Sequence, residues 1–260
     1  MLALKAKIIQ NKNIKGKYFH CVLEALDIAK LALPGQFIEV KVSEGFEPLL
    51  RRPFSIHRVD NGKLELLYEV VGVGSAKLSE RKSGEELDII GPLGNGFSLG
   101  LDILVAGGMG AAPLLFLAEK VFSCKPKVVS RKLMVLIGAK TKEHILCESK
   151  FKKIGCEVKI STDDGSDGFH GRVTDLLVDI LRAQRCKREL VIGACGPRPM
   201  LKRVSEISEE FDCLSQISLE EYMACGIGAC LGCVVQTTNG FKRVCKEGPV
   251  FDAREIIWEA

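Results

Sequence analysis

The sequence contains few aromatic residues, little excess charge and no apolar run long enough to cross a membrane. Of its 260 residues 6% are aromatic, and 37 Lys and Arg are balanced by 33 Asp and Glu, for a net charge of +4. So small a positive excess does not indicate a nucleic-acid partner. The longest apolar run, residues 103–118, is shorter than the ~20 residues of a membrane-spanning helix and contains glycines and a proline. We expect neither a nucleic-acid partner nor a membrane span.

The N-terminus also lacks the features of a secretion signal. Lys5 and Lys7 interrupt what would be the apolar core of a signal peptide, and no small-residue cleavage pattern follows them. We therefore expect a cytoplasmic protein. In that reducing compartment, clustered cysteines serve as metal or redox ligands more often than as structural disulfides.

Residues 1–99 show the period-two rhythm of β-strands. Ile38, Val40 and Val42 alternate with Glu39 and Lys41, and turn signals separate this segment from others with the same rhythm. Apolar residues on one face of short strands joined by tight turns are typical of a small antiparallel sheet. The pattern predicts an antiparallel β-barrel as the first domain.

The rest of the chain divides into two further expected domains. In residues 100–213, short continuous apolar runs alternate with helical segments, which is typical of a parallel sheet covered by helices. Residues 214–260 carry a cluster of cysteines and one more predicted strand pair, which begins at Val234. The predicted fold class is therefore multi-domain: an antiparallel β-barrel, an α/β parallel-sheet domain and a small cysteine-bearing domain.

Four of the eleven cysteines fall within 21 residues of each other: Cys225, Cys230, Cys233 and Cys245. The first three have the C-x4-C-x2-C spacing of plant-type [2Fe–2S] sites, and a fourth cysteine follows later. Glycines between them allow the backbone to wrap a bulky cluster. A four-cysteine zinc site, which usually has two C-x2-C pairs, and a group of reduced core thiols are the alternatives.

Two segments of the first domain offer the groups that a flavin dinucleotide requires. Residues 51–55, with the sequence RRPFS, supply cations for a phosphate, a fixed turn, a flat apolar ring and a hydroxyl. Residues 67–75 end a strand and run into a glycine-bearing turn whose backbone and Ser75 hydroxyl could hold a pyrophosphate. A plain β-hairpin with a surface arginine is the alternative interpretation.

Glycine-rich turns follow two predicted strands of the second domain. Residues 107–113, with the sequence GGMGAAP, join a strand to a helix, and such a turn presents helix N-terminal amides to a phosphate. Their spacing is not the G-x-G-x-x-G fingerprint. Residues 162–165 and 195–200 each follow a short strand, where α/β sheets place ligand-binding loops. Ordinary strand-to-helix connections remain the alternative.

These motifs together resemble a known family over essentially the whole chain. The matching segments are RPFS at 52–55, GPLGNGF at 91–97, GGMGAAP at 107–113, STDDGS at 161–166, CGPRPM at 195–200, ACGIGACLGC at 224–233 and RVCKEGPVF at 243–251. The chain resembles the electron-transfer subunits of class 1B dihydroorotate dehydrogenase, whose broader fold is similar to that of ferredoxin–NADP reductase. One departure is Tyr222, where the resemblance leads us to expect a basic residue.

The resemblance implies three cofactor sites. For FAD it implies Arg52, Pro53, Phe54, Ser55, Leu67, Tyr68, Glu69, Gly74 and Ser75. For transiently bound NAD it implies Gly107, Gly108, Gly110, Cys195, Gly196 and Pro197. For a [2Fe–2S] cluster it implies Cys225, Cys230, Cys233 and Cys245 as the metal ligands. No side chain is expected to act as an acid or base, because the cofactors carry the reaction.

The resemblance also implies a partner and a route for electrons. An FMN-containing dihydroorotate dehydrogenase catalytic subunit would oxidise dihydroorotate in pyrimidine biosynthesis, and electrons would pass through the cluster and FAD to NAD+. The expected assembly is a heterotetramer of two copies of each chain. Lys140 and Lys142 could indicate a 2′-phosphate and hence NADP, but the family implies NAD.

Two other functions remain open at this point. One is a related FAD and [2Fe–2S] reductase subunit of a ferredoxin:NADP or hydrogenase complex. The other is a zinc-stabilised binding module without redox activity. The four histidines show no paired spacing, and we expect surface or core positions for them rather than catalytic or ligand roles; they are His20, His57, His144 and His170.

Overall fold

The structure is a computed structural model and describes residues 1–124, 133–183 and 190–258. Its N-terminal part is an open half-barrel of seven strands. These are β1 (Leu2–Lys15), β2 (Tyr18–Glu24), β3 (Phe37–Lys41), β4 (Arg52–Ser55), β5 (Arg58–Asp60), β6 (Lys63–Glu69) and β7 (Glu86–Leu93). Two short helices, α1 (Leu26–Leu31) and α2 (Val73–Glu80), lie between them. All strand pairs are antiparallel, in the order β4-β3-β7-β1-β2-β6-β5, which confirms the predicted architecture.

The alternating residues of β3 separate the inside of the half-barrel from its outside. Ile38 and Val40 are fully buried in the half-barrel core together with Ile89 of β7. Glu39, between them in sequence, points to the opposite face, as strand geometry requires. That outer face is also covered by protein, since Glu39 has no exposed surface.

The second sheet is parallel over its first six strands. They are β8 (Ile103–Gly107), β9 (Met134–Ala139), β10 (Glu157–Thr162), β11 (Phe169–His170), β12 (Val191–Cys195) and β13 (Leu214–Ser218). Helices α3 (Ala111–Cys124), α4 (Glu148–Ile154), α5 (Val173–Ala183) and α6 (Arg198–Glu210) connect them. The predicted α/β arrangement is therefore confirmed. β9, β10 and β11 extend the sheet on one side of β8, and after β11 the chain crosses over through α5 to β12 on the other side, so β8 is the central strand.

The C-terminal segment adds a hairpin and returns to the second sheet. The hairpin is formed by β14 (Val234–Thr237) and β15 (Gly240–Arg243), which confirms the predicted strand pair. The last strand, β16 (Val250–Asp252), pairs antiparallel with β13. The cysteine segment thus lies between two neighbouring strands of the second sheet. β13 is itself a core strand of this sheet, with Ile217 fully buried, and the domain boundary expected at residue 214 stays a prediction.

Helix α3 packs against both sheets. Its Phe116 is buried in the half-barrel core, while Leu114 and Leu117 pack among residues of the α/β core. Because α3 has buried residues on both of these sides, it joins the half-barrel to the α/β unit. In the part of the chain that the structure describes, no helix has the length and apolar character needed to span a membrane.

Candidate functional site

A cavity of about 560 Å³ opens where the half-barrel meets the C-terminal segment. Its lining includes all nine residues that the sequence predicts for FAD: Arg52, Pro53, Phe54, Ser55, Leu67, Tyr68, Glu69, Gly74 and Ser75. They come from β4, β6 and the first turn of α2; β4 and β6 are not neighbours in the sheet order, and the curvature of the half-barrel brings them into contact. The volume lies within the range of cofactor and ligand pockets.

Aromatic rings form a rigid wall of this cavity. The rings of Phe54 and Tyr68 meet edge to face with centroids 5.5 Å apart, and Phe19 stacks on Tyr68 from behind at 5.7 Å. The Tyr68 hydroxyl donates a hydrogen bond of 3.0 Å to Asn11 Oδ1. Burial raises the pKa of this phenol, so it stays a neutral donor. The wall offers a flat apolar surface of the kind that an isoalloxazine ring requires.

The two neighbouring arginines have different roles. Arg51 points away from the cavity and forms an ion pair with Asp88, whose Oδ2 lies 2.6 Å from Arg51 Nη2. Arg52 lines the cavity, and its Nη1 donates to the Leu50 carbonyl at 2.8 Å. Among the described residues no carboxylate pairs with Arg52, so its charge is available to a phosphate.

The Ser75 hydroxyl is already committed to its own turn. It accepts hydrogen bonds from the backbone N–H groups of Val71 at 2.9 Å and Gly72 at 3.2 Å, and donates to the Gly72 carbonyl. The hydroxyl therefore caps α2 instead of pointing freely into the cavity. What this turn can offer a pyrophosphate is the backbone of its glycines, as the bare turn at Gly74 permits.

A second cavity, of about 650 Å³, lies along the carboxyl edge of the parallel sheet. It is lined by five of the six residues predicted for the nicotinamide: Gly107, Gly108, Gly110, Gly196 and Pro197. Cys195 does not line it, because the thiol is buried at the end of β12 with 2% of its surface exposed. Burial raises the pKa of the Cys195 thiol, which keeps it neutral.

Gly110 explains how the glycine-rich turn closes on the sheet. A Cβ at this position would lie 1.9 Å from the Cys195 carbonyl oxygen, a separation that no side chain tolerates. The turn and the end of β12 therefore approach each other more closely than a residue with a side chain at position 110 would allow. This contact puts the start of α3 beside the loop that follows β12.

The two cavities adjoin each other. Glu69, Met109 and Glu220 line both, and Lys17 Nζ lies 2.5 Å from Glu69 Oε1 at the shared boundary. The sequence analysis did not single out Met109, Glu220 or Lys17. Glu220 could have been found, since it comes two residues after β13 and therefore at the carboxyl edge where such sheets bind ligands. Two adjoining cavities can hold two groups in direct contact.

The four clustered cysteines form two pairs. The Cys230 backbone N–H lies 3.5 Å from Cys225 Sγ, and the Cys245 N–H lies 3.5 Å from Cys233 Sγ. Although desolvation opposes it, hydrogen bonds from backbone N–H groups, led by that of Cys230, lower the pKa of Cys225 to about 6. Desolvation and the neighbouring Cys233 raise the pKa of Cys245 to about 12.

This pairing distinguishes between the metals that such a site could hold. A single zinc ion at about 2.3 Å from four sulfurs brings all four within about 3.8 Å of one another. Over residues 1–124, 133–183 and 190–258, the one group of three or more metal-ligating side chains within 4.8 Å is His20, His57 and Glu65, and no cysteine belongs to it. In the described part of the chain, therefore, no three of the four clustered sulfurs lie within 4.8 Å of one another.

Arg243 is a residue of this site that the sequence analysis missed. Its Nη1 donates to the Gly228 carbonyl at 2.8 Å, within the loop that carries the first three cysteines. Its Nε lies 3.0 Å from Glu247 Oε2, and the Arg243 side chain lowers the pKa of Glu247 to about 2. The Arg-x3-Glu spacing around Cys245 was the available signal. This ion pair connects the loop to the segment of the fourth cysteine.

Two family models match parts of the chain. Residues 220–257 match the iron–sulfur cluster binding domain of dihydroorotate dehydrogenase B, and residues 104–206 match the oxidoreductase NAD-binding domain. The first covers all four clustered cysteines, and the second covers the glycine-rich turn and the loop after β12.

Whole-length relatives and solved structures agree with these matches. The chain is 41% identical over 264 residues to the dihydroorotate dehydrogenase B (NAD(+)) electron transfer subunit of Desulforamulus reducens, with 98% of each chain covered. It is 42% identical over 262 residues to that of Caldanaerobacter subterraneus subsp. tengcongensis, again covering 98% of each.

Among solved structures, a chain of the NADH-dependent reduced ferredoxin-NADP oxidoreductase superposes with a TM-score of 0.84 and 30% identity, covering 97% of this chain and 90% of that one. A ferredoxin NADP+ reductase from Neisseria gonorrhoeae shares the fold at a TM-score of 0.66 and 17% identity, over 80% and 91% of the two chains. The expectation from the motifs is confirmed: this chain belongs to the family of dihydroorotate dehydrogenase B (NAD(+)) electron transfer subunits.

Proposed function

We propose that the chain passes electrons from the FMN of a dihydroorotate dehydrogenase catalytic subunit, through a [2Fe–2S] cluster and FAD, to NAD+. The observation that carries the proposal is the continuity of the three candidate sites. The flavin cavity shares Glu69, Met109 and Glu220 with the nicotinamide cavity, and it is also lined by Tyr222 and Met223, which come just before Cys225 in the chain.

The order of the sites fits the chemistry of the groups they would hold. A nicotinamide exchanges two electrons as a hydride, an iron–sulfur cluster exchanges one at a time, and a flavin can do both. The cavity that adjoins the nicotinamide cavity and is lined by residues just before the cysteine loop is the one with the aromatic wall and the free arginine. Its residues bind and orient, and none of them needs to move a proton.

Three features support FAD in the first cavity. Phe54 and Tyr68 offer a flat ring an apolar aromatic surface, Arg52 offers an unpaired cation, and the first turn of α2, at Gly74, offers backbone amides. For the second cavity, the glycine-rich turn at residues 107–110 offers bare backbone to the dinucleotide. We propose NAD rather than NADP for this cavity, because the names of the relatives contain NAD(+).

The cluster type is proposed from the pairing of the cysteines. Cys225 with Cys230 and Cys233 with Cys245 would each hold one iron. The amides that lower the pKa of Cys225 would stabilise a thiolate ligand at neutral pH. The same pairing does not favour the alternative of a zinc-stabilised binding module.

Exposed apolar side chains in the cysteine loop, just before it and in the hairpin after it support a protein partner. Tyr222, Ile227, Leu231 and Phe241 are exposed, with Tyr222 at 95% and Phe241 at 74%. Large apolar side chains grouped in this way mark interaction sites. We propose that the FMN-containing catalytic subunit covers them, in a heterotetramer with two copies of each chain. The expected cytoplasmic location stays a prediction.

One alternative has support of its own. The superposition on a chain of the NADH-dependent reduced ferredoxin-NADP oxidoreductase, at a TM-score of 0.84, favours a subunit of a related ferredoxin-linked complex as the second candidate. Such a subunit would have the same cofactor sites and a different electron donor. The two functions therefore differ in the partner and not in the described geometry.

The test is to copurify the chain with the FMN-containing dehydrogenase expressed from the same genome. The proposal expects flavin bands, about two irons and two sulfides per chain, and NAD+ reduction that depends on dihydroorotate. A Cys230→Ser variant should lose iron and electron transfer while keeping FAD, because Cys230 lies outside the flavin cavity. A colourless protein with one zinc, or a holoprotein reduced by ferredoxin and never by the dehydrogenase, would overturn it.

A further inference from the structure

A fully buried histidine lies two residues after the predicted flavin motif. His57 has no exposed surface, and its Nδ1 is 2.7 Å from the Ala112 carbonyl oxygen. A carbonyl only accepts hydrogen bonds, so Nδ1 carries the proton and donates. The bond joins the half-barrel to the first turn of α3, across the boundary between the two units.

The contact of the other ring nitrogen, Nε2, indicates the same tautomer, with the proton on Nδ1. His57 Nε2 lies 3.2 Å from Lys150 Nζ, and an ammonium only donates, so Nε2 is the acceptor. Burial, and then the positive charge of Lys150, lower the pKa of His57 to about 3. The imidazole is therefore neutral, with one tautomer, over the whole physiological pH range.

A metal role for this histidine is not supported by its neighbours. His20 and Glu65 place ligand-type atoms within 4.8 Å of that of His57. However, His20 Nε2 is already bonded to Glu65 Oε2 at 2.8 Å, and His57 Nε2 faces the Lys150 ammonium. Each atom that a metal would use has a protein partner, so hydrogen bonding accounts for the group.

The acceptor of the His57 bond belongs to the cofactor sites. Ala112 lines the flavin cavity, and it follows directly on the glycine-rich turn that lines the nicotinamide cavity. Ser55, two residues before His57, also lines the flavin cavity. The backbone from Ser55 to His57 and the hydrogen bond from His57 to Ala112 thus connect two parts of the cavity lining.

We propose that His57 is a positioning residue that holds the glycine-rich turn, residues 107–112, at the distance from the flavin site that hydride transfer requires. The proposal rests on the proposed function for its chemical consequence. Small displacements of a bound reactant slow a transfer step steeply, because the reacting atoms must meet within a narrow range of distance and angle. His57 itself touches neither cofactor site and acts through Ala112.

A second contact between the same elements provides a matched control. Arg58, the next residue, donates from Nε to Glu119 Oε1 of α3 at 2.7 Å. Glu119 lies seven residues after Ala112, about two helical turns from the cavities. An Arg58→Gln variant therefore removes one bond between the half-barrel and α3 without loosening the glycine-rich turn.

The experiment compares His57→Leu, His57→Asn and Arg58→Gln in the FAD- and cluster-loaded complex. Flavin reduction by saturating NADH is followed by stopped-flow absorbance, and amide hydrogen exchange is followed in peptides that cover residues 107–116. Leucine removes both ring nitrogens, whereas the asparagine amide can restore a donor near the position of Nδ1.

The proposal expects His57→Leu to slow flavin reduction about 10-fold or more and to speed exchange in residues 107–116, with FAD and iron content unchanged. His57→Asn should recover most of the rate, and Arg58→Gln should stay within about twofold of the unmodified protein. Equal effects of Leu and Asn, or of Leu and Arg58→Gln, would overturn it. If the unmodified complex is not reduced by NADH, the proposed function fails, and exchange alone then decides whether His57 holds the turn.

Discussion

Gly226 lies directly against the side chain of Glu39. A Cβ at Gly226 would be 2.4 Å from Glu39 Cγ and 2.5 Å from its Oε1. Glu39 is completely buried, and neither of its carboxyl oxygens has a hydrogen-bond partner in the described part of the chain. The outer face of β3 and the first turn of the cysteine loop therefore meet at the Glu39 carboxyl group, whose oxygens have no hydrogen-bond partner among the described residues.

Replacing Gly226 should prevent the cysteine loop from closing. Its φ of +66° disfavours any side chain, and the Glu39 side chain occupies the space that a Cβ needs. We expect Gly226→Ala to lose most of its iron while keeping FAD, as measured by iron assay and flavin absorbance. Gly45→Ala is the control, because a Cβ there meets nothing within 4 Å. Full iron content in Gly226→Ala would show that the loop adapts.

The buried Glu39 carboxyl should make stability depend on pH. Desolvation raises its pKa to about 7, against the opposing effect of Arg51, so the folded protein holds this proton more tightly than the unfolded chain with its value of 4.5. The associated stability is present below pH 4.5 and is lost as the pH rises through 7. Between pH 5 and pH 8 the loss amounts to about 2 to 3 kcal/mol.

Glu39→Gln should abolish this loss, because an amide has the same shape and does not titrate. The measurement is the free energy of unfolding in urea at pH 5 and pH 8 for both proteins. The difference between the two pH values should be smaller in the variant by that amount. The same pH dependence in both proteins would mean that Glu39 is not the titrating group.

The neighbouring arginines offer a direct test of the flavin cavity. Arg52→Ala should weaken FAD binding about 10-fold or more, since a hydrogen bond from a charged group to phosphate contributes about 1.5–3 kcal/mol. Arg51→Ala removes the same charge one residue away but breaks only the pair with Asp88. Its dissociation constant for FAD, from fluorescence titration, should change less than about twofold. Equal losses in both variants would indicate a general effect of positive charge.

Arg243 should govern how firmly the cysteine loop is held. Arg243→Met removes the bond to the Gly228 carbonyl and the pair with Glu247, so we expect faster loss of visible absorbance when the holoprotein meets a chelator. Arg254→Met is the matched control, since it breaks a similar local pair with Asp252 away from the cysteines. Identical rates of cluster loss in the two variants would contradict this role.

Much of the fold could be predicted because it depends on local patterns. The alternation around Ile38 and Val40 predicts a strand, and the continuous runs after residue 100 predict a parallel sheet, both as observed. The cysteine spacing likewise predicted a metal-binding segment, because ligand positions within one loop are set by short stretches of chain. Whether each predicted residue binds its cofactor stays a prediction.

The features that could not be predicted depend on contacts between distant parts of the chain. The pairing of β16 with β13 joins segments more than thirty residues apart and leaves no periodic signal in either. Glu39 alternates in sequence like any solvent-facing strand residue, and only the packing of the cysteine loop shows that it is buried. His57 was expected in the core or on the surface, and only the structure shows its bond to Ala112.

Because the cysteine segment leaves from β13 and returns through β16, its two ends are held side by side, with Ser218 opposite Val250. An excursion that starts and finishes on adjacent strands can be exchanged or excised without altering the order of the sheet beneath it. The segment is nonetheless built into the molecule, because Glu220 lines both cavities and Cys233 and Cys245 pack in the same core as Ile217 of β13. A version of the chain in which a short turn joins β13 to β16 would therefore lose, together with the cysteines, Glu220 from both cavities and Tyr222 and Met223 from the flavin cavity.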